Sequence, residues 1–207
     1  MISPCGRQMD EYTKHIREAP WFNEAVAIAR SISQDPLYLI GGAVYRTLIS
    51  AYYNRAIPFA DLDFLVGKRA KSFTLPPHMK CHVTDYDGIP AWTAGEHDGV
   101  LKITAPHLRI DILSMDNLPH PKTLANYLYN VPFTIQSIAY EIDVDKLWGE
   151  TGIRAILDKS VGINNEEAVR KLAEANKVNV EQLLWRKAAE LGFEAVLPFE
   201  GRTSYFH

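Results

Sequence analysis

Cysteine is scarce: Cys5 and Cys81 are the only two in 207 residues, too few for a disulfide framework and not spaced for a zinc ribbon. Such usage fits a reducing compartment. Long apolar runs are missing as well, and none approaches the ~20 residues that cross a bilayer. The N-terminal stretch "MISPCGRQMDEYTKHIREAP" also lacks the charged-then-apolar order of a secretory signal. A cytoplasmic protein with no membrane partner is therefore expected. Charge of one sign is not in excess either, since 22 basic residues face 25 acidic ones and leave a formal net charge of −3. No global positive field draws in nucleic acid, so a polyanion would need a local patch. The sequence shows no internal repeat and no low-complexity segment. What remains is an ordinary globular composition, 47% hydrophobic, enough for one well-packed domain with a helical appendage.

Apolar residues at helical spacing, Tyr12, Ile16, Phe22, Ala25, Val26, Ala29 and Ile32, predict one or two amphipathic helices over 8–33, broken near Pro20. Asp35-Pro36 closes that arm. "LYLI" reads as a buried strand, Gly41-Gly42 punctuates it, and "AVYRTLISAYY" turns helical. "DLDFLV" is the next strand. From Gly67 to Pro90 the composition becomes basic and proline-rich, which predicts loop with a short strand near "CHVTDY". "GVLKITA" and "LRIDILSM", separated by Pro106-His107, predict an antiparallel hairpin. A helix around "KTLANYLY", the segment "PFTIQSIAYE" and a turn-rich stretch to Ile163 follow. Two more helices are signalled, one capped at Asn164-Asn165-Glu166-Glu167 and one in "VNVEQLLWRKAAELGF".

Aspartates two apart occur at Asp61/Asp63, Asp85/Asp87 and Asp143/Asp145. Residues i and i+2 of a strand share a face ~6.5 Å apart, where two carboxylates repel by about 2.5 kcal/mol at an effective dielectric near 20. A buried pair of this kind wants a cation. Asp85/Asp87 runs into Gly88 and Pro90 and reads as a solvated turn, and Asp143/Asp145 reads as a turn too. Asp61/Asp63 runs straight into Phe64-Leu65-Val66, at the mouth of a core strand; a surface cap of that strand is the plain alternative. Asp111 stands inside "LRIDILSM", where a lone acid is costly unless it is paired or metal-bound. Arg109, its same-face neighbour, offers a structural ion pair. If the two strands are neighbours, the three acids converge, and oxygen ligands of this type suit Mg²⁺ or Mn²⁺ acting on phosphoryl groups. A Gly-Gly turn before a helix brings backbone N–H groups close to a triphosphate.

These elements, in this order, resemble the nucleotidyltransferase fold of the DNA polymerase β superfamily. Within it the chain is most similar to the catalytic head of bacterial poly(A) polymerases and CCA-adding tRNA nucleotidyltransferases. "GGAVYRTLIS", "DLDFLV", "RIDILSM" and "VPFTIQSIAYE" match that group's four head motifs over roughly residues 37 to 163. The departures are equally specific. Tyr45-Arg46 replaces an Arg-Asp pair, Asn130-Val131-Pro132 replaces Arg-Arg-Asp, and Gln136 replaces an Asn. The nucleotide-selecting motif of the neck and the long helical body that grips tRNA are not recognisable, so CCA addition is not expected.

The resemblance implies an α+β nucleotidyltransferase fold, a mixed β-sheet flanked by helices. It is expected to comprise an N-terminal helical arm (1–36), a catalytic domain (37–163) and a C-terminal helical segment with a tail (164–207). The implied activity is transfer of a nucleoside monophosphate from an NTP to a hydroxyl on an RNA end, a tRNA, a protein or a small molecule. Asp61, Asp63 and Asp111 would be the metal-binding catalytic residues, and Gly41, Gly42, Arg46 and Lys68 would contact the nucleotide. A nucleotide-binding or protein-interaction module without turnover, such as a toxin–antitoxin component, is the second reading.

Lesser signals have plainer explanations. His78, Cys81 and His82 lack a partner pair for zinc and read as a loop coincidence. Lys68, Arg69 and Lys71 suit either a solvated basic loop or a phosphate contact. Tyr86 and Trp92 suit base stacking or packing against the core, Phe133 and Tyr140 read as core, and Trp185 as helix packing with an oligomer contact as the lesser option.

Overall fold

A computed structural model describes residues 9, 11–70, 73–84 and 99–197. The arm forms α1 (Thr13–Arg17) and α2 (Phe22–Ser31), split around Pro20 as expected, with Ile16, Phe22, Ala25 and Ala29 turned into the core. Next come β1 (Ser33–Ile40), α3 (Gly41–Tyr52), β2 (Leu62–Arg69), β3 (Lys80–Thr84), β4 (Val100–Ala105) and β5 (Leu108–Ser114). The second half carries α4 (Leu124–Asn130), β6 (Ala139–Glu141), β7 (Lys146–Trp148), α5 (Glu150–Leu157), β8 (Ser160–Gly162), α6 (Glu166–Asn176), α7 (Val180–Leu191) and β9 (Glu194–Val196).

Seven strands form one mixed sheet in the order β3-β4-β5-β2-β1-β6-β7, flanked by helices. Within it β2 and β5 run parallel, and every other neighbouring pair is antiparallel. The hairpin read from Pro106-His107 is the β4–β5 pair. Strand alternation divides the core between two faces. Leu37, Leu39, Phe64, Val66, Ile103 and Ile112 belong to the larger cluster, with Ala43, Val44 and Leu48 of α3. Tyr38, Ile40, Leu65, Leu113 and Ala139 form the smaller one, with Tyr127 and Leu128 of α4. Burying each large apolar side chain contributes ~1.5–3 kcal/mol, so Phe64, fully buried at the sheet centre, holds β2 firmly. Phe133 and Tyr140 are core, as read.

Local expectations change in places, and β2 runs on through Gly67-Lys68-Arg69, where the composition predicts loop. β1 begins before Asp35-Pro36, because a register shift between Gln34 and Leu37 gives the proline a bulge where no ladder N–H is needed. The stretch read as turn-rich before Ile163 contains the helix α5. Its Gly152 lies so close to Ser137 that an added Cβ would come 2.6 Å from the carbonyl oxygen, while Ile153, Ala155 and Ile156 form the buried stripe of the helix. Trp185, read as helix packing, is 56% exposed, while Leu184, Ala188 and Leu191 form the buried stripe of α7. Asp143 and Asp145 do lie in the β6–β7 turn, but they also tether the arm: Arg30 bonds Asp143, and Arg17 reaches Asp145 at 2.5 Å. The Tyr140 hydroxyl donates to the same Asp145 at 2.7 Å.

Candidate active site

Strand direction assembles the site. β1 runs antiparallel to β2 with Ile40 opposite Asp63, so the Gly41-Gly42 turn arrives beside the start of β2. β5 runs parallel to β2 with Asp111 directly opposite Asp63 on the same face. Asp61 lies one residue ahead of β2, exposed to solvent. One carboxylate oxygen from each of Asp61, Asp63 and Asp111 falls within 4.8 Å of the others, and among the described residues this is the only such acidic, His or Cys group.

Asp63 is the strained member. Its burial, followed by the charges of Asp61 and Asp111, pushes its carboxyl up to about 7, against the opposing pull of Lys102 and of the Gly42 backbone N–H, which it accepts. Gly41 has φ +68, and a Cβ there would lie 2.4 Å from Asp63 Oδ2. Only glycine fits both that backbone and that contact.

The cation paired with Asp111 is Lys102, not Arg109. Lys102 stands opposite Asp111 on β4 and donates from Nζ to Oδ2 at 2.6 Å, whereas Arg109 is exposed. The hydrogen bond to Asp111 raises the Lys102 ammonium above its ordinary value and keeps it charged. Lys102 was legible in the sequence: a hairpin turning at Pro106-His107 pairs Ala105 with Leu108 and, by counting outward, Lys102 with Asp111.

A groove of about 720 Å³ opens beside the carboxylates, with Gly42, Tyr45, Phe59, Asp61, Lys187 and Glu190 among its walls. Arg46 lines it too, donating to the Pro58 carbonyl at 2.8 Å and pairing with Glu190 of α7 at 3.0 Å. Arg46 is thus brought to the groove. Lys68 is not brought to the carboxylates: it lies five positions beyond Asp63, ~16 Å along the strand and on the opposite face. His78 and Cys81 are exposed, and no zinc-like cluster involves them among the described residues. Lys71, Asp85, Tyr86, Asp87 and Trp92 lie outside the described residues.

No protein-family model matches the sequence, and no curated protein matches it significantly. Solved structures do. The chain is similar to the Bacillus stearothermophilus CCA-adding enzyme in complex with CTP, at 14% identity and a TM-score of 0.51, over 96% of this chain and 42% of that one. It is also similar to a tRNA-processing enzyme with CTP, at 16% identity and a TM-score of 0.50, over 84% of this chain and 42% of that one. The chain has the nucleotidyltransferase fold. It spans about two-fifths of the length of these structures, 42% in both. That fold accounts for the mixed sheet flanked by helices, in agreement with the fold expected from the motifs.

Proposed function

We propose that this chain is a metal-dependent nucleotidyltransferase, moving a nucleoside monophosphate from an NTP to an acceptor hydroxyl with release of pyrophosphate. The observation that carries the reading is the cluster of Asp61, Asp63 and Asp111 within 4.8 Å, next to a helix-bounded groove. Burial, and after it the two neighbouring carboxylates, push the Asp63 carboxyl up to about 7, and the all-oxygen donor set fits Mg²⁺ or Mn²⁺. Asp61, Asp63 and Asp111 would hold that ion, which when bound supplies charge neutralisation for the phosphoryl group and the departing oxygen. Asp111 would also take the proton of the acceptor hydroxyl as its oxygen bonds to the α-phosphorus. The bond from that phosphorus to the bridging oxygen breaks, and pyrophosphate leaves.

The groove has the volume for a nucleotide, and Arg46 in its wall is the side chain suited to a phosphate. Gly42 lends its N–H to Asp63, so the glycine turn serves the carboxylate before any phosphate it receives. Lys68 would reach only a more distant part of a substrate. The acceptor would be an RNA end such as tRNA, a protein or a small molecule.

Pyrophosphate release from each NTP, CTP first, with Mg²⁺ or Mn²⁺ and with or without total RNA, tests the reading. Release abolished by Asp61→Ala/Asp63→Ala supports it. Metal-dependent NTP binding without release would favour the second reading, a binding module. The altered positions Tyr45-Arg46, Asn130-Val131-Pro132 and Gln136 favour that alternative, as does the engagement of Arg46 by Glu190.

A further inference from the structure

Across β2, β5 and β4 one row of the sheet reads Asp63, Asp111, Lys102, each opposite the next on a shared face. The site therefore already contains a cation. Lys102 Nζ lies 2.6 Å from Asp111 Oδ2, its side chain 41% exposed and that of Asp111 19% exposed. The acid is thus the more enclosed partner, and the ammonium stands on the solvent side. A divalent ion held by Asp111 and an ammonium at hydrogen-bond distance from the same carboxylate repel strongly at such separation. Lysine is a compact point charge on a flexible four-carbon stem, which allows the ammonium to leave without moving β4. An arginine would fork onto the carboxylate and hold it in two places.

We infer that Lys102 is an exchangeable counter-ion of the carboxylate site, occupying Asp111 until a divalent cation displaces it. It is a positioning residue in this sense. In the metal-free protein it offsets the repulsion among Asp61, Asp63 and Asp111; on metal binding it yields Asp111 and turns to solvent, to which its side chain is already 41% exposed. The inference rests on the proposed metal site, because exchange needs an ion to exchange with.

The test is direct Mn²⁺ binding by titration calorimetry, without nucleotide, on the full chain. Proteins compared are wild type, Lys102→Met, Lys102→Gln, Lys102→Arg and Asp61→Ala/Asp63→Ala. Loss of the resident ammonium leaves the carboxylates uncompensated, so Lys102→Met and Lys102→Gln bind Mn²⁺ about tenfold more tightly than wild type. Lys102→Arg, which keeps the charge, binds no more tightly than wild type. An NMR signal from the Lys102 side chain, assigned through its loss in Lys102→Met, shifts on Mg²⁺ addition. A lysine that did not compete for the metal-binding carboxylate would leave Mn²⁺ affinity unchanged on neutralisation. Equal Mn²⁺ affinity in wild type and both neutral variants, each folded by circular dichroism, overturns the exchange while leaving the metal site standing. No Mn²⁺ binding in wild type, or undiminished binding in Asp61→Ala/Asp63→Ala, overturns the metal site and the exchange with it.

Discussion

Asp63 and Asp111 face each other in register across the parallel β2–β5 pair. That contact depends on strand direction: the rest of the large sheet is antiparallel, so the one parallel junction brings two acids from distant sequence to one level. The turn after β1 joins them because β1 is antiparallel to β2.

Transfer depends on this pair. Asp63→Asn and Asp111→Asn each lower NTP turnover by at least about a hundredfold, as expected for removal of a metal ligand, while circular dichroism stays that of wild type. Either variant turning over at the wild-type rate would remove its residue from the chemistry.

The metal-free protein has a pH-dependent stability with a definite sign. Asp63 binds its proton more tightly when folded, near 7, than its ordinary value of 3.8. Its favourable contribution is therefore complete below about 4 and declines as pH rises through 7, by on the order of a few kcal/mol. With EDTA present, Tm falls over that interval in wild type. In Asp63→Asn, where nothing at the position titrates, that part of the decline disappears, and at pH 8 the variant melts above wild type. An unchanged slope would contradict the burial of this charge.

The two glycines of the turn differ in consequence. Gly41→Ala forces a side chain into a left-handed backbone and against Asp63, while at Gly42 the nearest atom to an added Cβ is 3.8 Å away. Thermal unfolding is expected to show Gly41→Ala destabilised by about 2–3 kcal/mol and Gly42→Ala by about 1 kcal/mol or less. Reversal of that order would refute the packing described.

Arg46 is shared between Pro58, Glu190 and the groove. Glu190→Gln frees its charge for substrate and lowers the KM for NTP by about threefold, the scale of a partly exposed ion pair. Arg46→Met raises the KM. If neither variant shifts KM, Arg46 is a structural tie between α3 and α7.

Much of this arrangement was legible in the sequence because it is local. The turn at Pro106-His107 fixes the β4–β5 register, and the Gly-Gly and DxD motifs mark the ends of β1 and β2. Other features were passed over or are decided by distance. Arg109 is two positions from Asp111 in sequence, yet the strand partner Lys102 takes the carboxylate, since cross-strand neighbours are nearer than i+2. α5 carries Glu150, Ile153, Arg154, Ala155 and Ile156 at helical spacing and could have been read as helix; only the approach of Gly152 to Ser137 needed the structure. Trp185 follows Leu184 on α7 and falls just outside the buried stripe, so its apolar character misled the reading. Lys68 sits near the DxD motif in sequence, and the alternation of β2 turns it to the other face.

The close approach of Gly41 to Asp63 changes what a glycine doublet in such a sequence signifies. The doublet reads as a mark of triphosphate handling, but here its first member is demanded by a side chain of the same polypeptide. A descendant that abandoned turnover while retaining the aspartate would remain under the same steric obligation. The motif thus testifies to an intact acidic cradle, and whether that cradle is used must be read from the charges inside it.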